Sequence, residues 1–192
     1  MKKIIDDEVI YLGDYSKIYE EDEWGDLNEE EIDRLELTSQ EDLENSAESI
    51  DELKSGNLEY ANLQNIDMSV SNISSMKMKY SNLINANLWC SEITHSDFHG
   101  ADFQFANLEY CEMLNSNFNS ANFRGARLEG TSFTNCDLSL ADLRGANLTK
   151  CTFKNSSLKR ALYDNFTKLP FDRYKAMSLG LEFCSSEYNS AS

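Results

Sequence analysis

Ala101-Asp102-Phe103-Gln104-Phe105, Ala106-Asn107-Leu108-Glu109-Tyr110 and Cys111-Glu112-Met113-Leu114-Asn115 are three consecutive units of one five-residue pattern. Each opens on a small side chain, continues with a polar one and places a large apolar residue third. Followed outward, the large apolar residue recurs at every fifth position from Leu58 to Tyr163, 22 times without an exception or a slipped register. A period of five fits neither the 3.6 residues of a helical turn nor the 2 of a strand. Repetition on this scale has to be read before secondary structure, because it sets the whole architecture.

The pattern A-(D/N)-L-x-x resembles that of the pentapeptide-repeat family, over residues 56–163. The resemblance implies an all-β fold, a right-handed quadrilateral β-helix with four pentapeptides per coil. The 22 repeats then make about five and a half coils, a rod of roughly 25 Å at the spacing of paired strands. One large and one small inward side chain per five residues can fill a narrow interior at protein density, where two large ones could not.

Sorting the small positions by fours supports four-sided coils independently. One column reads Ala61, Ser81, Ala101, Ala121, Ala141, Ala161, and the next Ile66, Ala86, Ala106, Ala126, Ala146. The other two are mostly hydroxyls and thiols: Ser71, Ser91, Cys111, Thr131, Cys151, then Gly56, Met76, Ser96, Ser116, Cys136, Ser156. Ile66 and Met76 break the small-residue rule, which predicts a distorted first coil. Phe98 and Phe118, Phe103 and Phe123, and Phe133 and Phe153 are expected to stack one coil apart.

A solenoid leaves two open ends that need covering. Four segments follow: an acidic extension over 1–39, a capping helix over 40–55, the β-helix over 56–163, and a C-terminal cap and tail over 164–192. Ser39-Gln40-Glu41-Asp42 can start the helix, Leu43, Ala47, Ile50 and Leu53 share one face, and Gly56 lies just past its end. The stretch Leu162-Tyr163-Asp164-Asn165-Phe166-Thr167-Lys168-Leu169-Pro170 resembles the closing tail of bacterial, notably cyanobacterial, relatives, without the customary Gly after Pro. Residues 184–192 are expected to fray. The apolar residues within 1–37, Trp24 among them, predict packing on the solenoid or ordering on a partner.

The chain of 192 residues has a formal net charge of −17. Residues 1–55 hold 20 Asp/Glu against 5 Lys/Arg, so the excess acid lies almost wholly in the extension. Basic residues gather late, from Arg124 to Lys175. No run of apolar residues is long enough for a membrane span, and the N-terminus builds no secretion signal. Five cysteines without a C-x-x-C pair suggest reduced thiols and a cytoplasmic setting.

Residues with chemistry are few. His95 and His99 have the i, i+4 spacing that suits zinc on a helix, but the five-residue register is not helical and sets both at a corner. Glu20 to Glu31 echoes a calcium loop at Asp22, Gly25 and Glu31, yet Glu20 and Trp24 stand at ligand places, and Asp26 with Glu29 reads better as a capping box. Cys111, Cys136 and Cys151 read as core fillers. The sequence therefore predicts no enzyme, cofactor or metal.

What remains is surface. Tyr60, Tyr80, Ile84, Trp89, Phe105, Tyr110 and Leu114 stand at outward positions that should be polar. Tyr80, Trp89, Phe105 and Tyr110 are the candidate partner surface. The expectation is a protein-interaction or scaffold module with an unidentified protein partner and no membrane or direct nucleic-acid binding, either monomeric or a homodimer through the C-terminal cap, with Tyr174, Met177, Leu179, Leu181 and Phe183 exposed. The alternative is a DNA mimic acting on gyrase or topoisomerase, as some members of the family do. It needs rows of carboxylates, which the outward positions lack.

Overall fold

The computed structural model describes residues 56–185, together with the backbone of β1 (Lys2–Ile5) and β2 (Glu8–Tyr11). β1 and β2 pair antiparallel, Lys2 opposite Tyr11, and β2 comes alongside the first strand of the solenoid. The proposed helix over 40–55 and the rest of the extension lie outside the described residues.

From Gly56 the chain winds as a four-sided parallel β-solenoid of about six turns. The 22 repeats alone account for five and a half of them. The bridges confirm the period of twenty: Asn57 pairs with Lys77, Asn62 with Asn82 and Asp67 with Asn87. On the fourth side the chain is straight enough for strands: β3 (Asn72–Ser74), β4 (Glu92–Thr94), β5 (Glu112–Leu114), β6 (Ser132–Thr134) and β7 (Thr152–Lys154) stack in chain order.

The corners are made by one conformation. Every fifth residue from Tyr60 to Arg160 is left-handed, with φ between 52° and 74°. That backbone costs an ordinary L-residue about 1–2 kcal/mol, and Asn and Gly bear it most easily. Tyr60, Val70 and Phe105 hold it because each corner N–H is tied to the coil above: Tyr60 N donates to Lys79 O at 2.8 Å, Val70 N to Trp89 O at 2.7 Å and Phe105 N to Arg124 O at 3.1 Å.

Every large inward residue from Leu58 to Leu148 is buried, and each contributes about 1.5–3 kcal/mol by leaving water. The three phenylalanine pairs stack as expected, with centroids 5.2, 5.0 and 5.2 Å apart. The hydroxyl and thiol columns have a clear cause. Their small inward groups satisfy backbone that the turn leaves open: Ser91 Oγ donates to Met68 O at 2.7 Å, Thr131 Oγ1 to Leu108 O at 2.6 Å and Cys151 Sγ to Leu128 O at 2.9 Å. Ser96 Oγ in turn accepts from Met76 N at 3.1 Å.

The first coil is not distorted. Ile66 and Met76 are buried, and Leu58 N reaches Lys77 O at 2.7 Å as later coils do. Gly56 explains Met76: a Cβ on Gly56 would sit 3.3 Å from Met76 Sδ, so the missing side chain leaves the thioether its space.

At the other end the register slips by one residue. Lys168, not residue 167, bridges to Asn147, and the turn between is held by side chains. Gly145 N donates to Asp164 Oδ1 at 3.0 Å and to Thr167 Oγ1 at 3.1 Å, taking side-chain oxygens in place of the usual carbonyl. After β8 (Leu162–Tyr163), α1 (Arg173–Ser178), capped by Asp172, drops Ala176 into the core. The chain then resumes the old period: Gly180 O accepts from Arg160 N at 2.7 Å, and β9 (Glu182–Phe183) pairs with β8 twenty residues earlier. Two expectations are thereby corrected. Leu181 is buried rather than exposed, because it occupies an inward position of this added layer. Cys184 is not part of a frayed tail, since its N–H donates to Tyr163 O at 2.8 Å.

Burial works against the Asp164 charge, but the N–H groups of Gly145, Phe166 and Thr167 and the Thr167 hydroxyl outweigh it and hold the carboxyl below its ordinary range. A carboxyl so depressed stabilises the fold above its unfolded pKa, and that contribution is lost as pH falls through the lower folded value. Asp164→Asn keeps an acceptor oxygen but no charge. Acid unfolding followed by circular dichroism should therefore be less steep at its onset in the variant. An unchanged profile would mean that Asp164 gains nothing from its donors.

Candidate interaction surface

The corner residue of each repeat projects along the rod onto the next coil, and this decides where the candidate aromatics lie. Tyr80 rests on Gly100, Phe105 on Gly125 and Tyr110 on Gly130, each pair twenty residues apart. A Cβ on these glycines would meet ring carbons at 2.6–2.7 Å, so each ring lies flat against bare backbone. Tyr60 stacks on Tyr80 in turn, 5.2 Å between centroids and 18° between planes, with His99 edge-on at 5.3 Å. Tyr80 is thus covered on both faces, by Gly100 and by Tyr60, whereas Phe105 and Tyr110 have one face covered and the other in solvent: Phe105 keeps 62% of its surface exposed and Tyr110 50%.

Phe105 and Tyr110 occupy successive corners of one coil and flank the side that carries Asn107. Trp89, also exposed, precedes Cys90, the corner residue one coil below Tyr110, and Tyr80 stands one coil below Phe105 at the preceding corner. Among the described residues none of these four rings pairs with another. They make a discontinuous border, not one aromatic box. Ile84 and Leu114 are half-buried. Arg127 lies on the flanked side with its guanidinium held by Glu109 at 2.7 and 3.0 Å. The corner glycines were visible in the sequence as the residues twenty places after each aromatic, a column the repeat pattern alone does not single out.

The five-residue repeat is recognised independently. The family model described as pentapeptide repeats matches residues 96–135 and 136–161, in eight copies. Residues 96–161 of this chain are pentapeptide repeats. Among solved structures the rod is similar to a pentapeptide repeat protein, Rfr23, of the cyanobacterium Cyanothece 51142, at 23% identity and a TM-score of 0.58, covering 64% of this chain and 97% of that one. It is also similar to a pentapeptide repeat protein of the Arabidopsis thaliana thylakoid lumen (21% identity, TM-score 0.41, 65% and 74% covered). A third likeness is QnrB1, a plasmid-mediated fluoroquinolone resistance protein (14%, 0.36, 65% and 91%). The likeness to Rfr23 shows the fold. No curated protein matches the chain, and no catalytic family is identified.

The other candidates on the pentapeptide-repeat rod resolve simply. His95 Nε2 accepts from the Asn115 amide at 3.0 Å, at the head of a ladder that continues through Asn135 and Asn155. Among the described residues no group of three or more His, Cys, Asp or Glu is placed to hold a metal. The calcium-like stretch Glu20–Glu31 lies outside the described residues. No helix among the described residues is long and apolar enough to cross a membrane.

All five cysteines are free. Burial pushes the Cys111 and Cys151 thiols up to about 12, and raises Cys136 and, less deeply placed, Cys90. The thiolate is the reactive form. Iodoacetamide at neutral pH should therefore modify the partly exposed Cys90 and Cys184 in the native protein and leave the other three until denaturant is added. Mass spectrometry reads this directly, and prompt native labelling of Cys111 would mean that the interior opens.

Proposed function

We propose that this protein is a non-enzymatic interaction module, cytoplasmic in setting, whose rod presents the corner aromatics Tyr80, Phe105 and Tyr110, with the neighbouring Trp89, to a protein partner. The observation that carries this reading is the rigid seating of three of these rings. A ring clamped on a glycine loses little further freedom on binding, so its open face can be covered with a smaller entropic cost than a free side chain would bring. Trp and Tyr are also the residue types in which binding energy concentrates.

Mimicry of DNA toward gyrase is the less favoured reading. Glu109 and Glu129, which a mimic would need as bare charges, are paired with Arg127 and Lys150. Elsewhere Asp97 accepts from Asn117, and Glu92 opposite Glu112 is a single pair of stacked carboxylates, not a row.

The test is a tagged pull-down of full-length protein beside the single variants Trp89→Ala and Phe105→Ala, with thermal melting of each. A partner captured by the parent and lost by Trp89→Ala at an unchanged melting temperature supports the reading. Capture that survives both variants removes the aromatics from the interface. A large fall in melting temperature assigns them to the fold instead. Purified gyrase in a supercoiling assay completes it: inhibition by the full chain would replace this reading with mimicry.

A further inference from the structure

Charge is graded along the rod. Residues 56–115 carry two Lys/Arg against seven Asp/Glu, and residues 116–149 balance. Residues 150–185 carry seven Lys/Arg against three Asp/Glu, a local excess of +4 in a chain of −17. The basic end is also the end where β9 lies. β9 pairs with β8 on one side and meets no strand on the other among the described residues. The same C-terminal segment carries open apolar surface: Tyr174 is 85% exposed, Met177 70% and Phe166 65%. Arg173 stands over the Phe183 ring at 4.4 Å, which fixes a cation beside the strand. Lys154, Lys159, Lys168 and Lys175 make no ion pair among the described residues, unlike Arg160 with Glu182 at 3.3 Å.

We infer that this C-terminal end is a docking surface for an acidic, extended segment of a partner protein, which adds to the free edge of β9. The strand edge supplies backbone donors and acceptors in the manner of β-strand addition. The surrounding lysines select for carboxylates, and Tyr174 and Met177 cover apolar side chains of the same segment. Charge opposes the mirror arrangement in which two copies meet tail to tail, since each would bring its +4 end to the other. The surface is separate from the corner aromatics and stands or falls without them.

The probe is a labelled peptide with the sequence of residues 20–31, Glu20 to Glu31, titrated with the full chain at about 0.1 M salt, where charges act over ~10 Å. The same peptide with each carboxylate replaced by its amide is the control. The acidic peptide should bind, and the amide peptide at least about tenfold more weakly, equivalent to ~1.4 kcal/mol. The exposed triple variant Lys154→Glu, Lys159→Glu, Lys175→Glu should lose binding by a similar factor at an unchanged melting temperature, while Trp89→Ala keeps it. Absence of binding, equal binding of the amide peptide, or loss with Trp89→Ala but not with the triple variant would each overturn the inference. Sedimentation of the full chain alone is the last arm: a salt-sensitive dimer through this end would make a second copy the occupant and overturn the assignment to another protein.

Discussion

Phe118→Ala should lower the stability of the rod by about 3–5 kcal/mol, the largest single-site loss in the molecule. Phe118 is fully buried and stands at the centre of the aromatic interior. It stacks on Phe98 at 5.2 Å, meets Phe103 and Phe123 at 6.2 and 5.9 Å and turns its edge to Phe133 at 6.1 Å. Truncation removes the transfer free energy of the ring and leaves a cavity that the surroundings cannot close. Each coil is held to its neighbours by backbone bonds of 2.7–3.2 Å, such as Phe118 N to Asp137 O and Asn117 N to Ser96 O. Those bonds keep the walls apart. In a solenoid each coil touches only its neighbours, so the lesion also weakens the coupling between the two halves. Urea unfolding followed by far-UV circular dichroism should show a lowered midpoint together with a broader or split transition. A loss below ~1 kcal/mol would mean that the coils slide together to fill the gap, and the rod would then be softer than its hydrogen bonding implies.

The interior was readable because its chemistry repeats with its geometry. The series from Leu58 to Tyr163 names buried large residues at every place but the partly buried Phe153, and the columns of Ala101 and Cys111 name the small ones, because each kind of position always faces the same way. The hydroxyl and thiol columns were visible as a pattern before Ser91 and Thr131 supplied its cause, a donor for a carbonyl of the coil below. The C-terminal end was less readable. A one-residue slip between Asp164 and Thr167 erases the period, and nothing in a five-residue rule predicts that Gly180 to Cys184 returns to it after a helix. Leu181 was misplaced for that reason. The candidate surface was half legible. Tyr80, Phe105 and Tyr110 could be seen to face outward, but outward describes a side of the polygon, whereas a left-handed corner throws its side chain along the rod axis onto the glycine of the next coil.

That geometry makes Gly125→Ala a sharp test of what the rings are for. Left-handed backbone alone does not forbid alanine at this corner, since Ser120 and Leu140 adopt it in the same rod at φ of 60° and 64°. The obstacle is Phe105, whose ring carbons would lie 2.7 Å from the new methyl group, well inside contact distance. The ring must swing off the rod into water or the corner must shift, and overpacking of this kind costs about 1–3 kcal/mol. Phe105→Ala alone should cost less, because the ring is already largely exposed. In the double variant the methyl no longer meets a ring, so most of the penalty of Gly125→Ala should vanish. The coupling between the two sites should then be of the order of 1–2 kcal/mol, well above the error of a double-mutant cycle. Additive losses would show that Phe105 does not rest on Gly125 in solution and that its ring is free. A free ring would pay more entropy on binding, and the case for the corner aromatics as a preorganised partner surface would fall with the coupling.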